Sequence, residues 1–141
     1  MRQMDWTEVR QFLLAGTRTA AIASIGRDGH PHVVPVWFTL DGQDVVFSTS
    51  SSSAKAKNLW RDPQVALSVD DDTPPFAFVT IKGQAQLIRY PDDFLAWTTR
   101  IARRYVGPDR AADMGTKYTE MDDTLVRIRV ASFIAYVDIV T

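Results

Sequence analysis

The alternation of hydrophobic and polar residues predicts a chain made mostly of β-strands. From Thr19 onward, the segments TAAIASI, PHVVPVWFTL and VVFST follow one another, with the turns GRDGH and DGQD between them. Strands joined by such short Asp-Gly turns pair antiparallel. The segments QVALSV, FAFVTIKGQAQLI, TLVRIRV and FIAYVDIV continue the pattern. Gly83 inside one of them predicts a bulge or bend that lets the sheet curl into a barrel.

Three other segments have a helical pattern. Asp5 and Glu8 match a capping box, and the helix that follows is expected to end near Gly16. A short helix is predicted over 54–60, stopped by the proline at 63, and an amphipathic helix over 92–105. A polar link, for which a helix is left open, then leads to TLVRIRV. About six short strands with these helices predict one domain over 1–141, a small antiparallel barrel with helical additions.

The composition limits the classes of function. The chain has 16 Lys and Arg residues against 17 Asp and Glu residues, a formal net charge of −1, so we expect no nucleic-acid and no membrane partner. It has no cysteine, which excludes disulfides, thiolate metal sites and cysteine nucleophiles. No apolar segment reaches the length of a signal peptide core or a membrane span, so we expect a cytoplasmic protein.

The stretch STSSSSAKAKNLWRDP (48–63) carries the first candidate site. Six hydroxyl residues lead into a predicted helix whose first turn carries Lys55 and Lys57, where positive charge opposes the helix dipole. An anion would reverse that effect, and backbone N–H groups, hydroxyls and ammonium groups together suit a phosphate monoester. The simpler interpretation is that Ser53 caps the helix while the lysines and Arg61 form a solvated face.

The strand in GHPHVVPVWF carries the second candidate feature. Pro35 removes a ladder donor, which favours a sheet edge or a bulge and leaves neighbouring peptide groups available to a ligand. Val34, Val36 and Trp37 are able to form one apolar wall for a flat ring, although core packing is the default role of such residues.

The sequence shows no complete catalytic or metal-binding set. His30 and His32 would face the same way on a strand, but only Asp28 is near as a third ligand, so we expect no metal. No nucleophile with a base and an orienting residue is evident, so the catalytic residues are unknown at this stage. This absence fits an enzyme whose cofactor carries the electrons, and it also fits a protein with no catalytic activity.

Taken together, three motifs resemble the pyridoxamine 5′-phosphate oxidase-like split β-barrel superfamily. They are G-x-P-x-x-x-P-V-W-F (29–38), S-x-K-x-K-N-L-x-x-D-P (53–63) and I-K-G-Q-A-Q-L (81–87). The closest resemblance is to its flavin- and deazaflavin-dependent (coenzyme F420) oxidoreductases, over residues 19–87. It implies a mainly β (α+β) fold, a six-stranded antiparallel split β-barrel with short flanking helices. It also implies a homodimer with the cofactor sites at the subunit interface.

The resemblance also implies the residues that hold the cofactor. Carried over residue by residue, it makes Lys55 the best phosphate ligand, and it places the cofactor ring along the backbone of 34–36. The full set of implied cofactor-binding residues is Lys55, Lys57, Ser50, Ser51, Val34, Pro35, Val36 and Asn58. The family often has an arginine near the position of Ser53, where this chain has serine.

The implied function is hydride transfer between reduced coenzyme F420 and an electron-poor small organic substrate. FMN in the same groove is the alternative cofactor. A non-catalytic flavin- or haem-binding protein is a further alternative, and haem would make His30 or His32 a candidate axial ligand. The full phosphate-plus-arginine set of a pyridoxamine phosphate oxidase is not evident, so we do not expect that reaction.

Overall fold

A computed structural model describes residues 1–140, which form one antiparallel β-sheet with four flanking helices. The strands are β1 (Arg2–Gln3), β2 (Ala20–Ile25), β3 (Pro31–Val36), β4 (Thr39–Asp41), β5 (Asp44–Thr49), β6 (Gln64–Asp71), β7 (Ala77–Arg89) and β8 (Thr124–Val137). The helices are α1 (Trp6–Leu14), α2 (Ala54–Arg61), α3 (Phe94–Val106) and α4 (Pro108–Met121). None of the helices in the described part of the chain is long and apolar enough to cross a membrane.

The sheet is a barrel split along one seam. Its strand order is β3-β2-β6-β7-β8-β5-β4, with β1 added beside β8. The two edge strands, β3 and β4, are consecutive in the chain and are separated only by Trp37 and Phe38. The predicted fold class is therefore confirmed, and Pro35 lies in an edge strand as expected.

The strand count differs from the predicted six. The segment PHVVPVWFTL divides into β3 and β4 because Trp37 stacks on Tyr105 of α3, with ring centroids 4.6 Å apart. The backbone N–H of Phe38 donates to the Tyr105 hydroxyl at 3.2 Å, which takes this residue out of the strand ladder. The N-terminus adds the short β1. TLVRIRV and the first five residues of FIAYVDIV form the single strand β8, which ends at Val137.

Local signals placed most helix boundaries correctly. The side chain of Asp5 accepts from the Glu8 backbone at 2.9 Å, so the predicted capping box is confirmed. Ser53 is the N-cap of α2, where its hydroxyl accepts from the Ala56 N–H at 3.2 Å. The polar link before TLVRIRV forms the 14-residue helix α4. This helix begins at Pro108 and follows Gly107, whose φ is 86°.

The barrel interior is filled by aliphatic and aromatic side chains from all the long strands. Phe38, Phe47 and Ile81 are fully buried there. A second cluster joins α3 to the barrel; its members are Val46, Phe94, Trp97 and Leu125. The predicted bulge at Gly83 is confirmed, because Lys82 pairs with Ser132 whereas Gly83 pairs with Val130.

Candidate functional site

A cavity of about 270 Å³ lies beside the split in the barrel, and we call it the Lys55 cavity. It is bounded by β3, β5, the start of α2, the helices α3 and α4, and the C-cap residue of α4. The lining residues are Pro35, Val36, Trp37, Ser48, Thr49, Lys55, Thr98, Ile101, Tyr118 and Asp122. The cavity therefore combines an apolar wall with hydroxyls, one lysine and one carboxyl group.

Lys55 is held in the first turn of α2 by the cap at Ser53, whose hydroxyl also hydrogen-bonds that of Thr49 at 3.0 Å. Its side chain is half-buried, and burial lowers the pKa of the ammonium group, partly opposed by the charge of Asp122. Among residues 1–140 it forms no hydrogen bond and no salt bridge. A partly dehydrated cation without a partner is a favourable site for an anion.

The carboxyl group of Asp122 is fixed on the same cavity. The Ser48 hydroxyl donates to its Oδ2 at 2.8 Å. Burial raises the pKa of Asp122, and the Ser48 hydrogen bond and the Lys55 charge act in the opposite direction. Tyr118, one helical turn earlier on α4, also lines the cavity, and burial raises the pKa of its hydroxyl.

The apolar wall is positioned by an aromatic stack at the seam of the barrel. Trp37 lies flat on Tyr105, at an interplanar angle of 8°, and meets Tyr118 edge-on with centroids 5.7 Å apart. The Tyr105 hydroxyl donates to the Arg18 carbonyl at 2.9 Å, and burial raises its pKa. This arrangement holds the end of β3 so that residues 35–36 face the cavity.

Two of the predicted site residues lie on a different cavity. Lys57 and Ser51 line a space of about 480 Å³, which we call the Lys57 cavity. Its other lining residues are Ala56, Trp60, Arg61, Leu87, Arg89 and Thr124. Thr49 of the first cavity and Thr124 of the second are partners in the pairing of β5 with β8. The two lysines therefore point to neighbouring but separate cavities.

The two predicted serine ligands are engaged in the loop before α2. The Ser51 hydroxyl and backbone N–H donate to the two carboxylate oxygens of Asp123, each at 2.7 Å. Burial opposes ionisation of Asp123, but these hydrogen bonds outweigh it and lower its pKa to about 2. The Ser50 hydroxyl bonds that of Ser52 at 2.8 Å, and Ser50 lines neither cavity.

Asn58 and Val34 also lie outside the Lys55 cavity. Asn58 is buried, its amide donates to the Ser24 hydroxyl at 3.1 Å, and its carbonyl accepts from Arg61 at 3.1 Å. These bonds fit a structural role. Val34 lines a smaller cavity of about 180 Å³ on the outer face of the sheet. Pro35 lines both this cavity and the Lys55 cavity.

Neither histidine belongs to a group of three or more potential metal ligands in the described part of the chain. His30 is exposed, and its Nδ1 lies 3.0 Å from the carbonyl oxygen of Pro31. His32 is half-buried on β3, and its Nδ1 has no hydrogen-bond partner among residues 1–140.

Sequence reasoning missed the contribution of the C-terminal half of the chain. Thr98, Ile101, Tyr118 and Asp122 line the Lys55 cavity but were not identified. The one local signal was the Asp-Asp pair at 122–123, directly before the strongly apolar TLVRIRV. Only the pairing of β5 with β8 brings that pair next to the hydroxyl run.

Comparison with known proteins identifies the family. The sequence model of the pyridoxamine 5′-phosphate oxidase family matches residues 6–133. The chain belongs to the pyridoxamine 5′-phosphate oxidase family. The resemblance expected from the sequence motifs is thereby confirmed.

Several solved structures are similar to this chain. The conserved hypothetical protein Rv2991 from Mycobacterium tuberculosis is 26% identical, with a TM-score of 0.83 over 96% of this chain and 86% of that one. An F420 reductase is also 26% identical, with a TM-score of 0.68 over 87% of this chain and 94% of its own. An FAD-binding protein from Mesorhizobium loti shares the fold at 20% identity, with a TM-score of 0.67 over 95% and 93% of the two chains.

The residues of the Lys55 cavity fit the phosphate end of a flavin-type cofactor of this family. They offer the Lys55 ammonium group, which has no partner among residues 1–140, and the apolar Pro35 and Val36. The hydroxyls of Ser48 and Thr49 also line the cavity, where they are bonded to Asp122 and Ser53. The volume of about 270 Å³ lies below the roughly 300–1,000 Å³ of most ligand pockets, so one chain encloses only part of such a molecule.

Proposed function

We propose that this protein is an oxidoreductase that binds coenzyme F420 and uses it to reduce an electron-poor small organic molecule. The observation that carries the proposal is Lys55, a half-buried cation with no partner among residues 1–140, beside the edge strand that carries Pro35 and Val36. When bound, the reduced cofactor supplies a hydride, that is, two electrons and a proton. The substrate double bond accepts the hydride, and water is able to supply the second proton.

The chain's own residues bind and orient in this proposal. Lys55 pairs with the cofactor phosphate, with the hydroxyls of Ser48 and Thr49 nearby. The backbone of 35–36 lies along the cofactor ring, which an edge strand permits because one row of its peptide groups is not paired in the sheet. Ser50, Ser51 and Asn58 stay predictions, and their observed hydrogen bonds to other groups do not support a direct role.

The Lys57 cavity favours coenzyme F420 over FMN. Lys57, Arg61 and Arg89 line it. Within the described part of the chain, only Arg89 is paired with a carboxylate, that of Asp123 at 3.0 Å. FMN ends at its phosphate, whereas coenzyme F420 continues through the phosphate into an acidic lactyl-glutamyl tail. A cationic cavity next to the phosphate site suits such an extension.

We also propose a homodimer whose interface completes the cofactor site. The outer face of the sheet carries uncovered apolar side chains, among them Val33 at 68% and Ile134 at 57% exposure. Pro35 borders both the Lys55 cavity and the small cavity on that face. A second copy packed on this face would cover exposed apolar surface and enclose the open side of the site.

Anaerobic turnover of reduced coenzyme F420 tests the proposal. The substrates are quinones, enones and tetrapyrroles. The proteins are the wild type, Lys55→Ala and the control Lys117→Ala. Lys117 is an exposed residue of α4 that lines neither cavity. We expect oxidation of the cofactor with at least one substrate. A charge-assisted contact is worth enough for Lys55→Ala to lower kcat/KM for the reduced cofactor about tenfold or more. Lys117→Ala should match the wild type.

Two results would contradict the proposal. Equal activity of Lys55→Ala and the wild type would remove Lys55 from the site. Saturable cofactor binding without turnover on any substrate would leave a binding protein rather than an enzyme. FMN is the second candidate cofactor, and purified yellow protein with tighter binding of FMN than of coenzyme F420 would select it.

A further inference from the structure

The Lys55 cavity is lined by one acidic and one basic side chain. Of its ten lining residues, Lys55 is the only base and Asp122 the only acid, and Tyr118 is the only other titratable group. Lys55 and Asp122 form no salt bridge in the described structure. A ligand phosphate beside Lys55 must therefore share the cavity with the Asp122 carboxyl group.

Asp122 is not free to leave the cavity. Its Oδ2 accepts from Ser48 of β5 at 2.8 Å, and its backbone N–H donates to the Tyr118 carbonyl of α4 at 2.7 Å. The adjacent Asp123 has partners of its own, because it accepts from Ser51, Thr124 and Arg89. The Arg89 charge is thus directed to Asp123 and not to Asp122.

The charge of the cavity then depends on the kind of phosphate. With Lys55 and Asp122 both ionised the pair is neutral. A phosphodiester adds one negative charge, whereas a phosphomonoester adds between 1.5 and 2, on the order of the values for phosphorylated side chains near pH 7. The repulsion from Asp122 grows with the ligand charge, and it is stronger in a partly buried cavity than in water.

We propose that Asp122 is a specificity-determining residue that disfavours a phosphomonoester and admits a phosphodiester in the Lys55 cavity. The inference rests on the proposed function, since it needs a cofactor phosphate beside Lys55. FMN is a monoester, whereas the phosphate of coenzyme F420 is a diester. Asp122 therefore selects between the two cofactors through the charge of the linkage, without any contact to the ring.

The pH dependence of this selection has a defined sign. Asp122 faces Lys55 from α2, Ser48 from β5, Tyr118 from α4 and the neighbouring Asp123. Burial places the pKa of Asp122 above its ordinary value. As the pH falls, Asp122 becomes neutral and a phosphomonoester loses its second charge, so the preference for a diester should shrink.

The test uses three flavins that differ only in the phosphate: riboflavin, riboflavin 4′,5′-cyclic phosphate, which is a monoanionic diester, and FMN. Affinities are measured at pH 8 by flavin fluorescence for the wild type, Asp122→Asn and Asp122→Glu. We expect the wild type to bind the cyclic diester more tightly than FMN. Asp122→Asn should improve FMN binding about tenfold more than diester binding. This factor is on the order of the repulsion between two unit charges a few ångströms apart in partly solvated surroundings. Riboflavin binding should not change, and Asp122→Glu should keep the wild-type preference.

Two further variants keep the result interpretable. Ser48→Ala removes the hydrogen bond that favours the charged carboxylate, so it should shift the preference toward FMN even if Asp122→Asn does not fold. Equal effects of Asp122→Asn on both phosphates would overturn the inference while Lys55→Ala still weakened both. If Lys55→Ala left both phosphates unaffected, the proposed function would fail instead.

Discussion

Arg104 shows how a single half-buried cation holds the seam of the barrel together. Its guanidinium donates to the carbonyls of Leu13 in the last turn of α1, of Gly16 after that helix and of Phe38 between β3 and β4. It also lies over the rings of Phe38 and Tyr105, 4.5 and 5.0 Å from their centroids. One side chain of α3 thus fixes the chain segment that forms the wall of the Lys55 cavity.

Replacing Arg104 should destabilise the fold. Arg104→Ala removes the guanidinium that donates to three carbonyls, and we expect the free energy of unfolding to fall by about 2–4 kcal/mol. The neighbouring Arg103→Ala is the matched control because Arg103 is exposed, and its effect should stay within about 0.5 kcal/mol. Urea unfolding monitored by circular dichroism measures both, and equal effects would refute the role given to Arg104.

Asp123 should contribute stability that depends on pH. Its pKa is lowered from 3.8 to about 2 in the folded state, so the folded protein favours the charged form. The contribution is present in full above the unfolded pKa and is lost as the pH falls through the folded pKa. Asp123→Asn should therefore be less stable than the wild type at pH 7, and the difference should shrink between about pH 5 and pH 2. A difference independent of pH in denaturant titrations would argue against it.

The bulge between β7 and β8 is an irregularity of the sheet that the sequence predicts. A glycine within a strand pattern is a local signal, and the structure places Gly83 where an added Cβ would overlap the Arg129 carbonyl. We expect Gly83→Ala to reduce the free energy of unfolding by about 1–3 kcal/mol, as other overpacked positions do. Gln84→Ala, at an exposed position next in the strand, should be nearly neutral. Thermal unfolding of the two variants compares them, and a neutral Gly83→Ala would mean that the bulge tolerates a side chain.

The difference between local signals and contacts of distant segments explains which parts of the site were predictable. Lys55 was identified because the signals are local: a hydroxyl run, a cap at Ser53 and a helix. Asp122 and Tyr118 escaped because they reach the cavity through α4 and through the pairing of β5 with β8, contacts between distant segments. The division of β3 from β4 was missed for the same reason, since Tyr105 of α3 causes it.

The whole molecule presents an apolar sheet face that the proposed dimer would cover. Val33→Asp places a charge on that face. We expect it to shift the protein toward monomer and to weaken cofactor binding, because the second copy would complete the site in the proposed dimer. Leu95→Asp is the control, since Leu95 is exposed at 52% on α3. Light scattering coupled to size exclusion gives the mass of each variant. A wild type that is monomeric at micromolar concentration would contradict the proposed interface.

The family assignment rests on the match over residues 6–133, and the motifs at 29–38 and 53–63 predicted it from the sequence. Those motifs form the edge strand β3 and the start of α2, which meet at the Lys55 cavity. Family membership alone leaves open which cofactor the chain uses. In the proposal, that choice depends on the charges around Lys55 and Lys57.

A binding cycle with two ligands and two proteins tests most directly whether Lys55 holds the cofactor phosphate. Coenzyme F420 and its phosphate-free deazaflavin precursor are titrated into the wild type and Lys55→Ala. We predict that coenzyme F420 loses about tenfold or more in affinity in Lys55→Ala, whereas the precursor binds both proteins equally. If both ligands lost affinity by the same factor, or neither did, Lys55 would not hold the phosphate and the account would be wrong.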